Sequence, residues 1–247
     1  DTHVCPDQTQ PGFTGWGSFA DLVAVHAADA NVVGLPDGIG FGEAAALGCR
    51  VATAYRAVVS VGRLAAGEWL VVHGCGGVGL AAVSIGVALG ARVAAVDVST
   101  AARERAVELG ADAALAPGTD LVSELKAATG GGAQLSVDAI GSPAVLADSV
   151  HSLRPRGRHV QVGLLLGEQA APAVPMGQVI ARELEVLGAH GMPARDYPAL
   201  LALVATGRLD LGRLIGRVIG LADAGAALAA LGEPAAYAGV TVVDLGR

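Results

Sequence analysis

A cluster of glycines at residues 74–79 has the spacing of a phosphate-binding loop. The segment reads Gly-Cys-Gly-Gly-Val-Gly and matches the GxGxxG pattern. Gly74 permits a tight turn, Gly76 allows the backbone to approach a pyrophosphate, and Gly79 allows the next helix to pack closely. The free N–H groups and the dipole of that helix would face the phosphates. The predicted phosphate-binding residues are Gly74, Gly76, Gly77, Val78 and Gly79.

A carboxylate stands where this kind of loop needs one. Asp97 ends the next β-rich run and follows Gly76 by 21 residues. Its oxygens can accept hydrogen bonds from the hydroxyls of an adenosine ribose, and its charge would repel a 2′-phosphate. The context therefore predicts a dinucleotide site that prefers NAD over NADP. The alternative is that the glycines only permit close packing and that Asp97 caps a turn, because GxGxxG alone is a weak signal among 36 glycines.

The elements around the loop alternate between short β-rich runs and helical stretches. The β-rich runs are apolar without clean alternation, which is typical of a parallel sheet covered on both faces. Six of them predict a doubly wound α/β fold. The predicted strands are Trp69–His73, Arg92–Asp97, Asp112–Leu115, Leu135–Ala139, Arg158–Gly163 and Leu184–Gly188. The predicted helices between them are Val78–Leu89, Ala101–Leu109, Asp120–Thr129 and Pro143–Leu153.

The two ends of the chain differ from this alternating middle. Residues 1–50 are rich in proline and glycine, with a short strand predicted at Phe19–Val25. Residues 191–247 predict helices around Tyr197–Thr206 and Ala222–Leu231 and a last strand at Val240–Leu245. Each end is too short for an independent domain. We therefore expect residues 51–190 to form the nucleotide-binding domain, with 1–50 and 191–247 as parts of a second domain.

Composition narrows the possible partners. Hydrophobic residues make up 53% of the 247 residues, charged residues make up 16%, and the formal net charge is −7. No basic run is present to neutralise a phosphate backbone, so no nucleic-acid partner is predicted. Three cysteines at positions 5, 49 and 75 do not form a disulfide framework, which favours a reducing, cytoplasmic setting.

One stretch raises the question of a membrane span. Residues 69–91 carry no acidic or basic side chain and are long enough to cross a bilayer. However, four glycines fall within positions 74–79, and a lipid-exposed helix would not concentrate glycine in this way. A buried strand, a tight loop and a buried helix explain the same residues, so no membrane partner is predicted.

Several further stretches resemble the zinc-dependent, medium-chain alcohol dehydrogenases. The matching segments are Gly12-Phe13-Thr14, Trp16-Gly17-Ser18-Phe19-Ala20, Leu47-Gly48-Cys49-Arg50, His73–Leu80 and Gly188-Ala189-His190-Gly191. The resemblance covers the whole chain. It implies a six-stranded Rossmann domain bracketed by parts of a β-rich, GroES-like catalytic domain, with NAD and zinc as cofactors.

The resemblance also implies roles for individual residues. Cys49 matches a ligand of the catalytic zinc, and Thr53, one helical turn later, matches a residue that packs near the nicotinamide. Cys5 matches the last of four cysteines that bind a structural zinc, whereas Cys75 receives no role. The residues that match the loops around the nicotinamide are Val162, Gly163, Leu164, Ala189 and His190.

The chain also departs from the family pattern. The other two catalytic zinc ligands, a proton-relay hydroxyl and three structural-zinc cysteines would lie upstream of Asp1. The family tends to place basic residues near Ala102 and Val240, and both positions are apolar here, although Arg103 is a neighbour that can substitute for the first.

The resemblance implies an NAD-dependent oxidoreductase that interconverts a small alcohol and an aldehyde or ketone at a zinc site. The alternatives are a zinc-free quinone or enoyl reductase of the same superfamily and a non-catalytic NAD(H)-binding module. A homodimer or homotetramer is also expected, because strand Arg158–Gly163, followed by Ala171–Pro175, resembles the family's edge-to-edge contact.

Overall fold

The structure, a computed structural model, describes residues 2–232 and 238–246. Two compact units are present: Asp1–Ala52 with Gly191–Arg247, and Thr53–His190. We call them the split unit and the central unit. The predicted outer limits of the second domain, Asp1 and Arg247, lie outside the described residues.

The central unit contains one parallel sheet, and the split unit contains a second, smaller one. The strands are β1 (Trp69–His73), β2 (Arg92–Val96), β3 (Ala113–Leu115), β4 (Ala133–Asp138), β5 (Leu153–Gln161), β6 (Glu185–Gly188), β7 (Ile215–Gly220) and β8 (Val240–Asp244). The larger sheet has the order β3-β2-β1-β4-β5-β6, and β7 pairs with β8 in the smaller sheet. The six-stranded, doubly wound α/β fold is therefore confirmed.

Ten α-helices are found in the described residues. They are α1 (Ala28–Asn31), α2 (Phe41–Ala46), α3 (Ala52–Tyr55), α4 (Gly77–Ala88), α5 (Thr100–Glu108), α6 (Leu121–Thr129), α7 (Pro143–His151), α8 (Met176–Arg182), α9 (Tyr197–Ala205) and α10 (Leu221–Ala229). The hydroxyls of Ser99 and Ser142 cap α5 and α7 by accepting hydrogen bonds from Ala102 N and Val145 N.

The core of the central unit lies on both faces of the larger sheet. Every residue of β1 is buried, as are most residues of α4, because neither element carries a charged side chain. Trp69, Val71 and Val96 pack with Leu121 and Leu125 of α6. Apolar strands without alternation therefore mark a sheet that is covered on both sides.

The sheet edge differs from the prediction. Strand Arg158–Gly163 was expected at the edge, but β5 lies between β4 and β6. The edge strand is β6, whose residues pair only with β5 and are mostly exposed. The prediction failed because Leu184–Gly188 was identified as a strand but not placed in the sheet order.

The N-terminal region also corrects a prediction. No strand forms at Phe19–Val25, where the chain is irregular and exposed. An extended segment needs a hydrogen-bonded neighbour to become a strand, and no described residue pairs with this one. In contrast, β7 forms although no strand was predicted there, because β8 provides its partner.

Residues 69–91 form a strand, a loop and a helix, as predicted, and not one long helix. Another helical segment, Phe41–Val61, is long and apolar enough to span a membrane, with a mean hydropathy of 1.2. Core helices pass the same test, and Val51, Ala54, Ala57 and Val58 within it are fully buried. This segment is therefore weak evidence for a span.

Candidate cofactor site

The glycine loop connects the end of β1 to the start of α4. Gly74 has a φ of 92°, and a Cβ there would lie 2.5 Å from Cγ1 of Ile140. A Cβ on Gly79 would overlap the carbonyl oxygen of Gly74. Positive φ and these close approaches require glycine, so the path of the loop depends on both residues.

Gly76 differs from its two neighbours in the pattern. It precedes α4 with a φ of −75°, and nothing lies within 4 Å of where its Cβ would be. The first turn of α4 has no acidic residue and no side-chain cap. The amides of this turn therefore border open space at the positive end of the helix dipole, which is suitable for binding an anion.

Asp97 follows β2 and supports the loop directly. Its Oδ2 accepts a hydrogen bond from Cys75 N at 2.6 Å, and its Oδ1 accepts one from Ser99 N at 2.8 Å. A carboxylate has about four acceptor positions, so capacity remains for two hydroxyls of a ribose. Asp97 thus stabilises the glycine loop and is also a candidate for binding the ribose hydroxyls.

Two neighbours of Asp97 have structural roles. Arg103 Nη1 donates to the carbonyl oxygens of Asp97 and Val98 at 2.7 and 3.0 Å, so this guanidinium binds the turn after β2. The thiol of Cys75 is buried, and this burial, with the nearby Asp97 charge, raises its pKa to about 12. Cys75 is therefore a protonated core residue at neutral pH.

The predicted nicotinamide loop at residues 162–164 follows β5, and the loop after β4, which the sequence did not predict, lies against it at the same edge of the sheet. We call these two loops the nicotinamide loops. Strand order reverses between β1 and β4, and ligands of such sheets bind outside the carboxyl ends of the strands at this point. Apolar side chains are exposed here after three strands, namely Val98, Ile140 and Leu164. Because each follows a strand end, together they provide apolar walls for flat rings.

The two nicotinamide loops touch through their backbones. A Cβ on Gly163 would overlap the amide nitrogen of Gly141, and one on Gly141 would overlap the carbonyl oxygen of Leu164. Val162 N and Gly163 N both donate to the carbonyl oxygen of Asp138, at 2.9 and 2.8 Å. These contacts fix the path of the chain between β5 and the candidate site.

The segment after β6 completes this edge of the central unit. Ala189 N donates to the carbonyl oxygen of Gln161 at 3.0 Å, which holds the start of the segment beside β5. Ala189 is half-buried, and His190 is exposed. The structure therefore brings the glycine loop, Asp97, residues 162–164 and Ala189 to the carboxyl edge of one sheet.

Cys49 and Thr53 lie on one helical segment in different units. Cys49 is exposed and follows a kink at Gly48, whose φ of −43° and ψ of −138° are not helical. Thr53 is buried, and its hydroxyl has no hydrogen-bond partner among the described residues. An unpaired buried hydroxyl costs about 1–3 kcal/mol, so a ligand that satisfied it would bind favourably.

Neither predicted zinc site is assembled by the described residues. Across residues 2–232 and 238–246 there is no group of three or more His, Cys, Asp or Glu side chains that can hold a metal ion. Cys5 and Cys49 are both free thiols. A tetrahedral catalytic zinc needs three protein ligands, so this part of the chain does not by itself fit the ion.

No sequence pattern singles out Tyr197, the first residue of α9. Burial, followed by the nearby thiol of Cys49, raises the pKa of this phenol. Tyr197 also lines a cavity of about 680 Å³ in the split unit, together with Gly48 and His26. No spacing rule connects residues so far apart in the chain, so only the fold reveals this neighbourhood.

Comparisons with known proteins agree with this geometry. Residues 77–206 match the model of the family described as zinc-binding dehydrogenase. The chain is 33% identical to geraniol dehydrogenase of Castellaniella defragrans, over 84% of this chain and 57% of that protein. It is 30% identical to alcohol dehydrogenase of Geobacillus stearothermophilus, over 83% of this chain and 59% of that protein.

A solved structure of an NAD-dependent alcohol dehydrogenase has a TM-score of 0.84 and 27% identity, and the match covers 99% of this chain and 70% of that one. The chain belongs to the zinc-binding dehydrogenase family, which confirms the resemblance drawn from the sequence. It spans slightly under three fifths of the length of these two curated relatives.

Proposed function

We propose that this chain provides the NAD-binding part of an oxidoreductase that interconverts a small alcohol and an aldehyde or ketone by hydride transfer. The observation that carries the proposal is the glycine loop at the point where strand order reverses, with Asp97 beside it. The relatives' names are those of alcohol dehydrogenases, and the matched structure is named as NAD-dependent.

The described residues fit NAD. The pyrophosphate would lie against Gly76, Gly77, Val78 and the N-terminus of α4, where the backbone is open. Asp97 would accept hydrogen bonds from the adenosine ribose and disfavour a 2′-phosphate. When bound, the nicotinamide supplies the hydride acceptor.

The nicotinamide half would lie against the loops after β4, β5 and β6. Residues 162–164 and Ala189 with His190 would bound the ring and exclude water from its face. The unpaired hydroxyl of Thr53 would gain a partner from the carboxamide.

The zinc assignments are also part of this proposal, but they extend only to the ligands and not to the reaction. Cys49 would be one ligand of a catalytic zinc, and Cys5 one ligand of a structural zinc. Because the described residues form no group of three or more side chains that can hold a metal ion, no step of the reaction is derived through the metal. We expect the 247-residue chain alone to show little zinc-dependent turnover.

The domain assignment, assembly and location are further parts of the proposal. Residues 51–190 would be the NAD-binding domain, with 1–50 and 191–247 forming parts of a GroES-like catalytic domain. Assembly as a homodimer or homotetramer would cover the exposed edge strand β6. The three free thiols support a reducing, cytoplasmic setting.

Cofactor titration tests the central claim. Asp97→Ala should weaken NADH binding by about 10–100-fold, since hydrogen bonds to a charged group are worth ~1.5–3 kcal/mol. It should also reduce the discrimination against NADPH. The matched control is Asp112→Ala, because Asp112 accepts a backbone hydrogen bond from Val93 N near the opposite end of β2. Unchanged NADH affinity in Asp97→Ala would contradict the proposal.

Metal analysis and turnover separate the reaction classes. Stoichiometric zinc after purification would favour the dehydrogenase, whereas NADH binding without zinc would favour a zinc-free reductase or a non-catalytic binding module. Strong alcohol oxidation by the isolated chain that a chelator abolishes would contradict the expectation of little zinc-dependent activity.

A further inference from the structure

A row of buried polar side chains lies beneath the nicotinamide loops. Ser136 and Asp138 belong to β4, Ser149 to α7, and His159 and Gln161 to β5. The first four are fully buried, and Gln161 is half-buried. Buried polar groups are costly unless they are hydrogen-bonded, so four polar residues on two strands of this apolar sheet, with a fifth on α7, need an explanation.

The hydrogen bonds of the row run in one direction. Gln161 Nε2 lies 3.0 Å from Asp138 Oδ2 and 2.8 Å from the carbonyl oxygen of Gly163. Both are acceptors, so the nitrogen of this amide must face them, and Gln161 Oε1 must accept from His159 Nε2 at 3.2 Å. The amide of Gln161 therefore has only one orientation that satisfies all three partners.

The imidazole of His159 continues this order of donors and acceptors further into the core. Because Nε2 of His159 donates, its Nδ1 must accept in the neutral ring, and Ser149 Oγ lies 2.8 Å away. Ser149 Oγ then donates to Nδ1 and lies 2.7 Å from Ser136 Oγ, whose own proton is directed to the carbonyl oxygen of Ser149 at 3.0 Å and is shared with Ser149 Oγ. Burial lowers the pKa of His159, which keeps the ring neutral, as this order of donors requires.

The outer end of the row holds both nicotinamide loops. Oδ1 of Asp138 accepts from Ile140 N at 2.8 Å and from Gly141 N at 2.9 Å, which fixes the loop after β4. Gln161 Nε2 joins the other carboxylate oxygen to Gly163 O in the loop after β5. One carboxylate and one amide thus connect two loops that come from different strands.

We propose that Asp138 and Gln161 are positioning residues for the nicotinamide half of the cofactor, and that His159, Ser149 and Ser136 keep Gln161 in its working orientation. This inference rests on the proposed NAD-binding function. The row serves the loops that would contact the nicotinamide, whereas the adenosine half is held by Asp97 and the glycine loop. Loss of Gln161 should therefore affect one half of the cofactor and spare the other.

Two ligands distinguish effects on the nicotinamide half of the cofactor from effects on the adenosine half. NADH contains both, whereas ADP-ribose lacks the nicotinamide ring. In calorimetric titrations of the full chain, Gln161→Leu should raise the Kd for NADH about tenfold, the size expected when a hydrogen bond to a charged acceptor is lost. The Kd for ADP-ribose should change less than about twofold, which lies within the usual effect of a substitution away from a site.

The matched control is Gln134→Leu, which makes the same substitution near the opposite end of the sheet. Gln134 Oε1 accepts from Trp69 N at 2.8 Å at the start of β1. This variant should lose thermal stability comparable to that lost by Gln161→Leu while binding both ligands like the wild type. A role in stability alone would leave the ratio of the two Kd values unchanged in both variants.

Ser149→Ala provides a milder version if Gln161→Leu does not fold. Removing its hydroxyl releases Nδ1 of His159, so the Kd for NADH should rise in the same direction by a smaller factor. Equal effects on NADH and ADP-ribose, or no effect on NADH in a folded variant, would overturn the inference alone. Failure of the wild type to bind either ligand would overturn the proposed function as well.

Discussion

Strand β1 of the central unit and the N-terminal part of the split unit differ in the exposure of their large apolar side chains. In β1 of the central unit every residue is buried, and Trp69 is 8% exposed. In residues 13–41 of the split unit, Phe13, Trp16 and Phe41 are nearly fully exposed, with Trp16 at 98%. The central unit thus completes its own core, while this region presents apolar side chains outward.

This contrast matches where the sequence encodes cofactor recognition and where it encodes a zinc site. Recognition of a dinucleotide needs a strand, a loop, a helix start and the next strand, which is one continuous stretch of about 30 residues. A catalytic zinc needs ligands from segments that are distant in the sequence. The described residues therefore contain a candidate cofactor site that is locally complete in the central unit, whereas for a catalytic zinc they offer one candidate ligand, Cys49, which is exposed.

Substitution of Gly79 should destabilise the central unit at its glycine loop more than any other change considered below. Gly79→Ala would place a methyl group against the carbonyl oxygen of Gly74, so the free energy of unfolding should fall by more than about 3 kcal/mol. Gly76→Ala should leave stability unchanged, because its Cβ would enter open space, but should weaken NADH binding. Urea unfolding and NADH titration measure the two effects. Equal stability of the two variants would contradict this account of the loop.

Acid should weaken the central unit through its buried imidazoles. Burial, with a contribution from His159, lowers the pKa of His73 to about 3. Between pH 6.5 and 3 the unfolded chain binds a proton at His73 that the folded chain does not, so stability falls as the pH falls. This single group should contribute about 1.4 kcal/mol per pH unit in that range. His73→Gln should reduce the slope by that amount in unfolding experiments, whereas parallel slopes would rule out this origin.

The rate of thiol labelling should differ between Cys49 of the split unit and Cys75 of the central unit. At pH 8 Cys49, which is exposed, should react rapidly with a maleimide, whereas Cys75, whose pKa burial raises to about 12, should react only after unfolding. Mass spectrometry of labelled peptides in buffer and in urea measures both. Cys49→Ser should remove the fast reaction. Rapid labelling of Cys75 in the folded chain would show that the loop opens.

The smallest expected effect concerns Trp16. Replacing it with Phe should change the free energy of unfolding by less than about 0.5 kcal/mol, since exposed side chains contribute little. The remaining Trp69 should then resist quenching by acrylamide, because it is buried and Arg92 stacks 4.0 Å above its ring. In Trp69→Phe the remaining Trp16 should be quenched readily. Protection of Trp16 would show that a partner or a second copy covers residues 13–41.

The sequence predicted most of the central unit because its signals are local. Glycine spacing, apolar runs and Asp97 each report on neighbours within about 30 residues. Every predicted strand of the larger sheet formed, with small shifts at the ends except for β5, which begins at Leu153 and not at Arg158. The sheet order was not local. The position of β5 between β4 and β6 depends on which strands pair, and the residue types in Arg158–Gly163 do not indicate that pairing.

The parts that the sequence did not predict depend on long-range contacts. Phe19–Val25 has the composition of a strand but lacks a partner, whereas Ile215–Gly220 contains two glycines and an arginine yet pairs with β8. The row of buried polar side chains was also missed. Its serines, histidine and glutamine are spaced 2–13 residues apart and follow no sequence pattern, and only the packing of β4, α7 and β5 brings them together. The proximity of Cys49 and Tyr197 likewise requires the fold.

The contact between Gly141 and Gly163 has a consequence for how this site can vary. Two loops that meet backbone to backbone leave no room for a side chain at either position, so neither can move without displacing the other. Variation in the shape of the proposed pocket must therefore come from the side chains that point away from the contact, such as Ile140 and Leu164. The backbones of the two loops would keep one conformation, and changes in ligand preference would arise from substitutions of their exposed side chains.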